Sequence, residues 1–318
     1  MDLNFSTGIY SGLATPAASF QFPEILTYRD AFHLIAESPE SAPLLGVDGE
    51  GNPISVDLDS DSPHVLISAA SGGGKSVLAR GIATQFLVNG ADVVFLDVKR
   101  HSHRWAKNLP GVTYAAALPD IGNALVKLGE EVHRRNEIVE QFAGPIEEAP
   151  VGDRIVVVLE ELNATMTQLK GLSKKLPRGA YTAEDAFRDI MFMGRAAKVH
   201  VVAVAQYATV EAMGGGDIRE NFSTRILIRY TKNAWTMLAY DCGLPQPAPE
   251  EPGRGMVCRG GKARQVQFLY LTEEEAAAMV REAYEARVEA GEAAPPPPPG
   301  GWSARPEPAR AGTFLRPF

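Results

Sequence analysis

The sequence predicts an α/β fold, a mostly parallel β-sheet with helices on both faces. Three features require it. Short apolar runs alternate with helical segments from about residue 63 to 271. Those runs are apolar throughout rather than alternating, as strands covered on both faces must be. Strands separated by helices need crossover connections, and these make neighbouring strands parallel.

The elements follow in chain order. Phe22, Ile25, Leu26, Phe32 and Ile35 give residues 22–37 a weak helical pattern. Residues 44–47 and 54–58 flank Asp48-Gly49-Glu50-Gly51-Asn52 and predict a hairpin. A buried strand is expected over 64–68, a helix over 75–88 and a second strand over 92–97. Ile121, Leu125, Leu128, Val132 and Val139 recur at helical spacing and predict a long amphipathic helix over 119–142. Strands are expected over 154–159, 199–205 and 224–230, and helices over 182–197 and 233–240. Residues 256–258 and 265–270 predict a late hairpin across Arg259-Gly260-Gly261-Lys262. Thr272 caps a terminal helix over 272–290, with Glu275 three residues on and Glu273 and Glu274 at its positive end. Pro295 to Pro299 then open a proline-rich stretch. The expected division is an N-terminal extension (1–43), an α/β domain (44–271), a C-terminal helix (272–290) and a disordered tail (291–318).

Composition narrows the function classes. The 318 residues carry 31 Lys+Arg against 39 Asp+Glu, a net charge of −8, and are 45% hydrophobic. Global disorder is excluded, and so is a broad basic nucleic-acid-binding face. Two cysteines, Cys242 and Cys258, make neither a disulfide scaffold nor a four-ligand zinc site. No secretory leader and no run of about 18 apolar residues is visible. A soluble cytoplasmic protein with no membrane segment of its own is expected.

The chemistry begins at Ala69-Ala70-Ser71-Gly72-Gly73-Gly74-Lys75-Ser76, between a strand and a helix. This is the Walker A pattern in the context that gives it meaning. Small residues let backbone N–H groups curl around a polyphosphate, and the helix N-terminus adds its dipole. Ala70, Ser71, Gly72, Gly73, Gly74, Lys75, Ser76 and Val77 are the expected ATP contacts. Lys75 reaches the β and γ phosphates, and the Ser76 hydroxyl ligates Mg²⁺. A chance glycine turn is the competing reading, opposed by the coincidence of strand, glycines, Gly-Lys-Ser and helix.

An ATPase of this kind also needs a carboxylate for the metal and a base for water. The apolar strand ending at Leu159 runs into Glu160-Glu161. Glu160 would serve the metal and Glu161 the water; the alternative is a surface pair opening a helix. Glu160 stands where Asp is usual, and its extra methylene is expected to slow turnover. Asp97-Val98-Lys99-Arg100 reads as an exposed polar cluster at the nucleotide's sheet edge or as a solvated loop. Gln206, after the fourth strand, reads as a γ-phosphate sensor or as a turn residue.

These motifs resemble the FtsK/SpoIIIE DNA translocases, within the FtsK–HerA group of P-loop ATPases. Residues 45–54 (LGVDGEGNPI) are similar to the hairpin leading into the family's domain, and 64–76 (HVLISAASGGGKS) to its Walker A segment. Residues 96–100 (LDVKR) resemble its Asp-Pro-Lys-Arg element, with Val98 for Pro, and 131–135 (EVHRR) its helix with paired arginines. Residues 156–162 (VVVLEEL) stand where the family ends Asp-Glu-Leu. Residues 194–200 (GRAAKVH), 205–206 (AQ), 221–226 (NFSTRI) and 253–256 (GRGM) match further motifs in order.

The resemblance implies a RecA-like P-loop NTPase fold. It also implies a homo-oligomeric, hexameric ring that threads double-stranded DNA and hydrolyses ATP between subunits. Arg195 and Arg225 are then candidates to stabilise γ-phosphate charge, one of them as a finger into the neighbouring site. DNA would meet loops at 208–219 and 170–178, so positive charge is needed only inside the ring. The family's membrane-spanning region and winged-helix module are not matched, which leaves a stand-alone motor domain as the expectation. The implied function is DNA-stimulated ATP hydrolysis driving DNA transfer, segregation or packaging. Two alternatives are an ATPase for protein secretion or coupling, and a nucleotide-binding assembly factor with little turnover.

Overall fold

The computed structural model describes residues 21–70, 72–206 and 215–292. β1 (Leu26–Thr27) and α1 (Phe32–Ala36) precede a hairpin of β2 (Leu44–Asp48) and β3 (Pro53–Ser55). β4 (His64–Ala69) runs through the glycine loop into α2 (Lys75–Val88). There follow β5 (Asp92–Leu96), β6 (Val112–Ala115), α3 (Leu118–Gln141), β7 (Ile155–Leu159), α4 (Leu162–Ser173), α5 (Ala183–Met193) and β8 (Val199–Ala205). The last part holds α6 (Gly216–Asn221), β9 (Thr224–Ile228), α7 (Lys232–Leu238), β10 (Arg254–Arg259), β11 (Lys262–Tyr270) and α8 (Glu273–Glu289).

The strands form one 11-stranded sheet in the order β3-β2-β11-β10-β9-β4-β8-β7-β5-β6, with β1 added alongside β11. From β9 to β6 all neighbours are parallel. The two predicted hairpins meet at the other end as an antiparallel wing of β10, β11, β2 and β3. The mostly parallel sheet with helices on both faces is therefore what the chain forms.

Strand periodicity sorts the core into two halves. Val65, Ile67, Val93, Phe95, Val156, Val158, Val202 and Val204 pack with α2 and α8 on one face. Leu66, Val94, Leu96, Val157, Leu159, Val201 and Ala203 pack with α3, α4, α5 and α7 on the other. Each fully buried Val, Leu or Ile contributes about 1.5–3 kcal/mol.

Some elements differ from expectation. Residues 22–37 split into β1, a turn and the five-residue α1. Asp30 accepts the Thr27 amide at 3.0 Å and closes that turn, while Leu26 and Tyr28 enter the core. The strand expected over 224–230 stops at Ile228, because Arg229 adopts a left-handed backbone with φ 47°. β6, α4 and α6 were not foreseen. Leu26, Tyr28 and Ala31 share a core with Ala276, Ala277 and Val280 of α8, so both flanking segments pack on the central domain. The proline-rich stretch from residue 293 onward lies outside the described residues. Among the described residues no helix is long and apolar enough to cross a membrane.

Candidate active site

Parallel strands discharge their following loops at one edge, and ligands of open α/β sheets bind there. Here that edge gathers the glycine loop after β4, Gln206 after β8, Glu160-Glu161 after β7 and the 97–103 loop after β5.

The glycine loop is shaped for an anion. Gly72 and Gly74 have φ of 74° and 92°, left-handed values that glycine adopts without strain. Gly73 donates its amide to the Ala70 carbonyl at 3.0 Å, and a Cβ on Gly73 would lie 3.0 Å from both that oxygen and the Ala69 methyl. α2 starts with no side-chain cap and no acidic residue in its first turn, so its first N–H groups remain for a ligand. Lys75 opens that helix with its side chain buried, and Ala70, Ser76 and Val77 are half-buried. Ser71 lies outside the described residues.

Glu160 is buried and continues the Val156–Val158 row toward the α2 face. Its amide donates to the Leu96 carbonyl at 3.0 Å. Its Oε2 lies 3.4 Å from His103 Nε2, and its Oε1 lies 3.8 Å from Lys99 Nζ with no hydrogen-bond partner. Burial pushes the carboxyl pKa up, but His103, Lys99 and Ser102 outweigh it and hold the group below its ordinary value. Glu160 is therefore ionised at neutral pH. One buried, unsatisfied carboxylate oxygen plus the Ser76 hydroxyl is a hard-oxygen donor set suited to Mg²⁺. That ion needs few protein ligands when phosphates and water complete its shell. No cluster of three or more His, Cys, Asp or Glu side chains is placed to hold a metal among the described residues.

Glu161 occupies the N-cap of α4 with φ 49° and ψ 57°. A left-handed backbone costs a glutamate about 1–2 kcal/mol, and such strain concentrates at working residues. The corner is held by Thr165, whose amide donates to the Glu161 carbonyl and whose hydroxyl donates to the Glu160 carbonyl, both at 2.9 Å. The Glu161 carboxylate forms an ion pair with Lys99. One lysine thus lies within 4 Å of both acids and offsets part of their charge.

Asp97 corrects the expected exposed cluster. It is fully buried and accepts from the Arg100 amide (3.1 Å), the His103 amide (3.1 Å) and the Tyr114 hydroxyl (2.8 Å). Three donors converging on one carboxylate fix the 97–103 loop. The His103 ring stacks on Phe95 at 4.9 Å. Asp97 therefore aims Lys99 and His103 at the Glu160-Glu161 pair. Asp97→Ala is expected to destabilise the fold by about 2–3 kcal/mol by stranding these donors, read as a lowered urea midpoint.

Gln206 is half-buried, one residue past β8. β8 lies between β4 and β7, so Gln206 stands between the loop and the carboxylates. The two predicted arginines are elsewhere. Arg225 pairs in register with Leu66, three residues before the end of β4. Its buried guanidinium is gripped by both oxygens of Asp241, at 2.7 and 2.8 Å. That side chain is committed to its own fold and is not free for a neighbour. Arg195 is exposed in the turn before β8, at the opposite edge of the sheet. A seven-residue strand separates that edge from the glycine loop, so Arg195 cannot reach its own chain's loop.

Of the expected DNA loops, residues 208–214 lie outside the described residues. Lys170 belongs to α4, and Lys174, Lys175 and Arg178 are exposed beyond it. Lys99 and His103 were missed as site residues, although Lys99 lies in the motif read as a polar cluster.

Comparison with known proteins identifies the family and the fold. Residues 44–107 match the family described as "Helicase HerA, central domain". The DNA translocase FtsK of Staphylococcus aureus is 28% identical over 208 residues, covering 57% of this chain and 24% of that protein. FtsK of Halalkalibacterium halodurans is 26% identical over 262 residues, covering 74% and 31%. The chain thus spans about a quarter to a third of these relatives' length. Among solved structures, the pCW3 conjugation coupling protein TcpA with ATPγS superposes with a TM-score of 0.69 at 22% identity, over 85% of this chain and 76% of that one. EssC (ATPases 2 and 3) of Geobacillus thermodenitrificans gives 0.59 at 19% identity, over 80% and 46%. Both share the P-loop NTPase fold. The chain carries a HerA/FtsK-type P-loop ATPase domain, homologous at modest identity to the FtsK DNA translocases.

Proposed function

We propose that this protein is an ATP-hydrolysing motor that moves double-stranded DNA, working in the cytoplasm as a homo-oligomeric, hexameric ring. The observation that carries the ATPase reading is the meeting of an anion-ready glycine loop with a buried metal-type carboxylate and a strained second carboxylate at one sheet edge. The DNA reading is supported by relatives named DNA translocases that match 57–74% of the chain.

Position in the fold supports the following roles. The loop amides and Lys75 hold the phosphates of ATP. Ser76 and Glu160 hold Mg²⁺, which when bound neutralises phosphate charge. Glu161 orients water and takes its proton, once Lys99 no longer occupies its carboxylate. Gln206 reads whether a γ phosphate is present. Arg195 faces away from its own site and serves a neighbour in the ring as a finger. DNA is held by inward loops, with the exposed Lys174, Lys175 and Arg178 as basic candidates.

The test is phosphate release by an oligomeric preparation with and without linear duplex DNA. The DNA-driven rate is expected to exceed the basal rate, and the stimulation to fall as salt screens phosphate contacts. Hydrolysis indifferent to DNA would remove the DNA reading and favour a protein cargo. A second reading rests on Glu160 in place of Asp and on the Lys99–Glu161 pair: a nucleotide-gated assembly factor. Tight ATP binding with negligible phosphate release at every DNA concentration would select it.

A further inference from the structure

Arg225 and Arg195 were the arginines expected to face phosphate, yet a third arginine stands at the phosphate loop. We propose that Arg229 is a phosphate-binding residue of its own chain's nucleotide site. This rests on the nucleotide reading above.

Register places it. β9 flanks β4 on the side away from β8, and Ile228 pairs with Ala69. The next residue of β4's chain opens the glycine loop, and the next residue of β9's chain is Arg229. The end of β9 also packs against the loop: a Cβ on Gly73 would lie 3.6 Å from the Ile228 carbonyl oxygen. Arg229 then leaves the strand direction with a left-handed φ of 47°. Its guanidinium Nη1 comes within 4.0 Å of where a Cβ on Gly72 would sit. The side chain therefore lies over the loop rather than continuing outward from the sheet.

Its state differs from that of the arginines tied to acids in the fold. Arg80, Arg154, Arg225, Arg254 and Arg259 each meet a carboxylate. Arg229 is exposed and has no acceptor among the described residues. A guanidinium held on unfavourable backbone beside an anion cradle, and paired with no carboxylate among the described residues, is a cation available to an anion. Its planar fork can grip two phosphate oxygens at once, which the point charge of Lys75 cannot do. Lys75 thus meets the polyphosphate from the helix side and Arg229 from the β9 side.

Calorimetric titration of the full chain with ATPγS and with ADP, in Mg²⁺, tests this. Arg229→Ala and Arg229→Gly are both used, because glycine also relieves the left-handed backbone. Both are expected to weaken ATPγS binding about tenfold to a hundredfold. Arg229→Lys is expected to recover part of the loss, through charge without the fork. A loss shared by ADP places the guanidinium on the inner phosphates, and a loss confined to ATPγS places it on the γ phosphate. Wild-type affinity in both Arg229→Ala and Arg229→Gly would overturn the proposal, provided Lys75→Ala has lost binding. If the wild-type chain itself fails to bind ATPγS, the nucleotide reading fails instead.

Discussion

Glu161→Gln is expected to lower ATP hydrolysis about 10²–10⁴-fold, the range a positioned general base supplies, while ATPγS still binds as in the wild type. Glutamine has the same length and keeps an oxygen for the Lys99 ammonium, so the corner before α4 stands. What it loses is the basicity to take a proton from water. The proposed nucleotide contacts come from the loop after β4, two strands away in the sheet, and the substitution leaves that loop untouched. Steady-state phosphate release and ATPγS titration on the same preparation separate the two effects. Undiminished hydrolysis by the Glu161→Gln variant would remove the base from this position. It would also leave the left-handed backbone there without a purpose.

Lys75→Ala is expected to fail one step earlier. Charge-assisted hydrogen bonds to a phosphate contribute about 1.5–3 kcal/mol, so affinity should fall about tenfold to a hundredfold. Hydrolysis of whatever still binds should fall a further factor of about 10²–10³, the usual loss of one group aimed at developing charge. Lys75 is only 8% exposed, so its removal also strips packing from the start of α2. Thermal unfolding without nucleotide is the control for that loss. The two variants differ in kind: one binds normally and does not cut, the other is weakened in both binding and cutting. An alanine variant that binds and hydrolyses like the wild type would mean that the glycine loop is not the phosphate site.

Much of this arrangement was legible in the chain. α2 and β8 begin and end where periodicity placed them, because strands and helices buried on the sheet's two faces carry unbroken apolar signals. The glycine loop and the paired glutamates were legible because their chemistry is local in sequence. What escaped was set by tertiary context. β6 reads Val-Thr-Tyr-Ala, a half-buried edge strand with no apolar run. α4 contains Asn163, Thr165, Thr167 and Gly171, poor helix formers. It stands on Leu162, Thr165, Met166 and Leu169, buried against the sheet. Asp97 reads in sequence as a surface acid, since nothing there reveals three donors folding back on it. Arg229 is separated from the glycine loop by more than half the domain. Only the pairing of Ile228 with Ala69 brings it there. The motif points instead to Arg225, four positions earlier, which its bond to Asp241 ties to its own fold.

The pairing of β2 with β11 has a consequence for how the molecule is made. Roughly 200 residues separate Asp48 from Lys262, so at about 5–20 residues per second the first hairpin waits roughly 10–40 seconds on the ribosome for its partner strand. During that interval the side of β2 that will meet β11 is an open template for any other nascent chain on the same messenger. The far side is closed by β3, which is three residues long and begins with Pro53, a residue unable to extend a ladder. One flank is thus guarded by the sequence itself. The other depends on the speed of translation, and slow codons before residue 262 would lengthen the period of exposure.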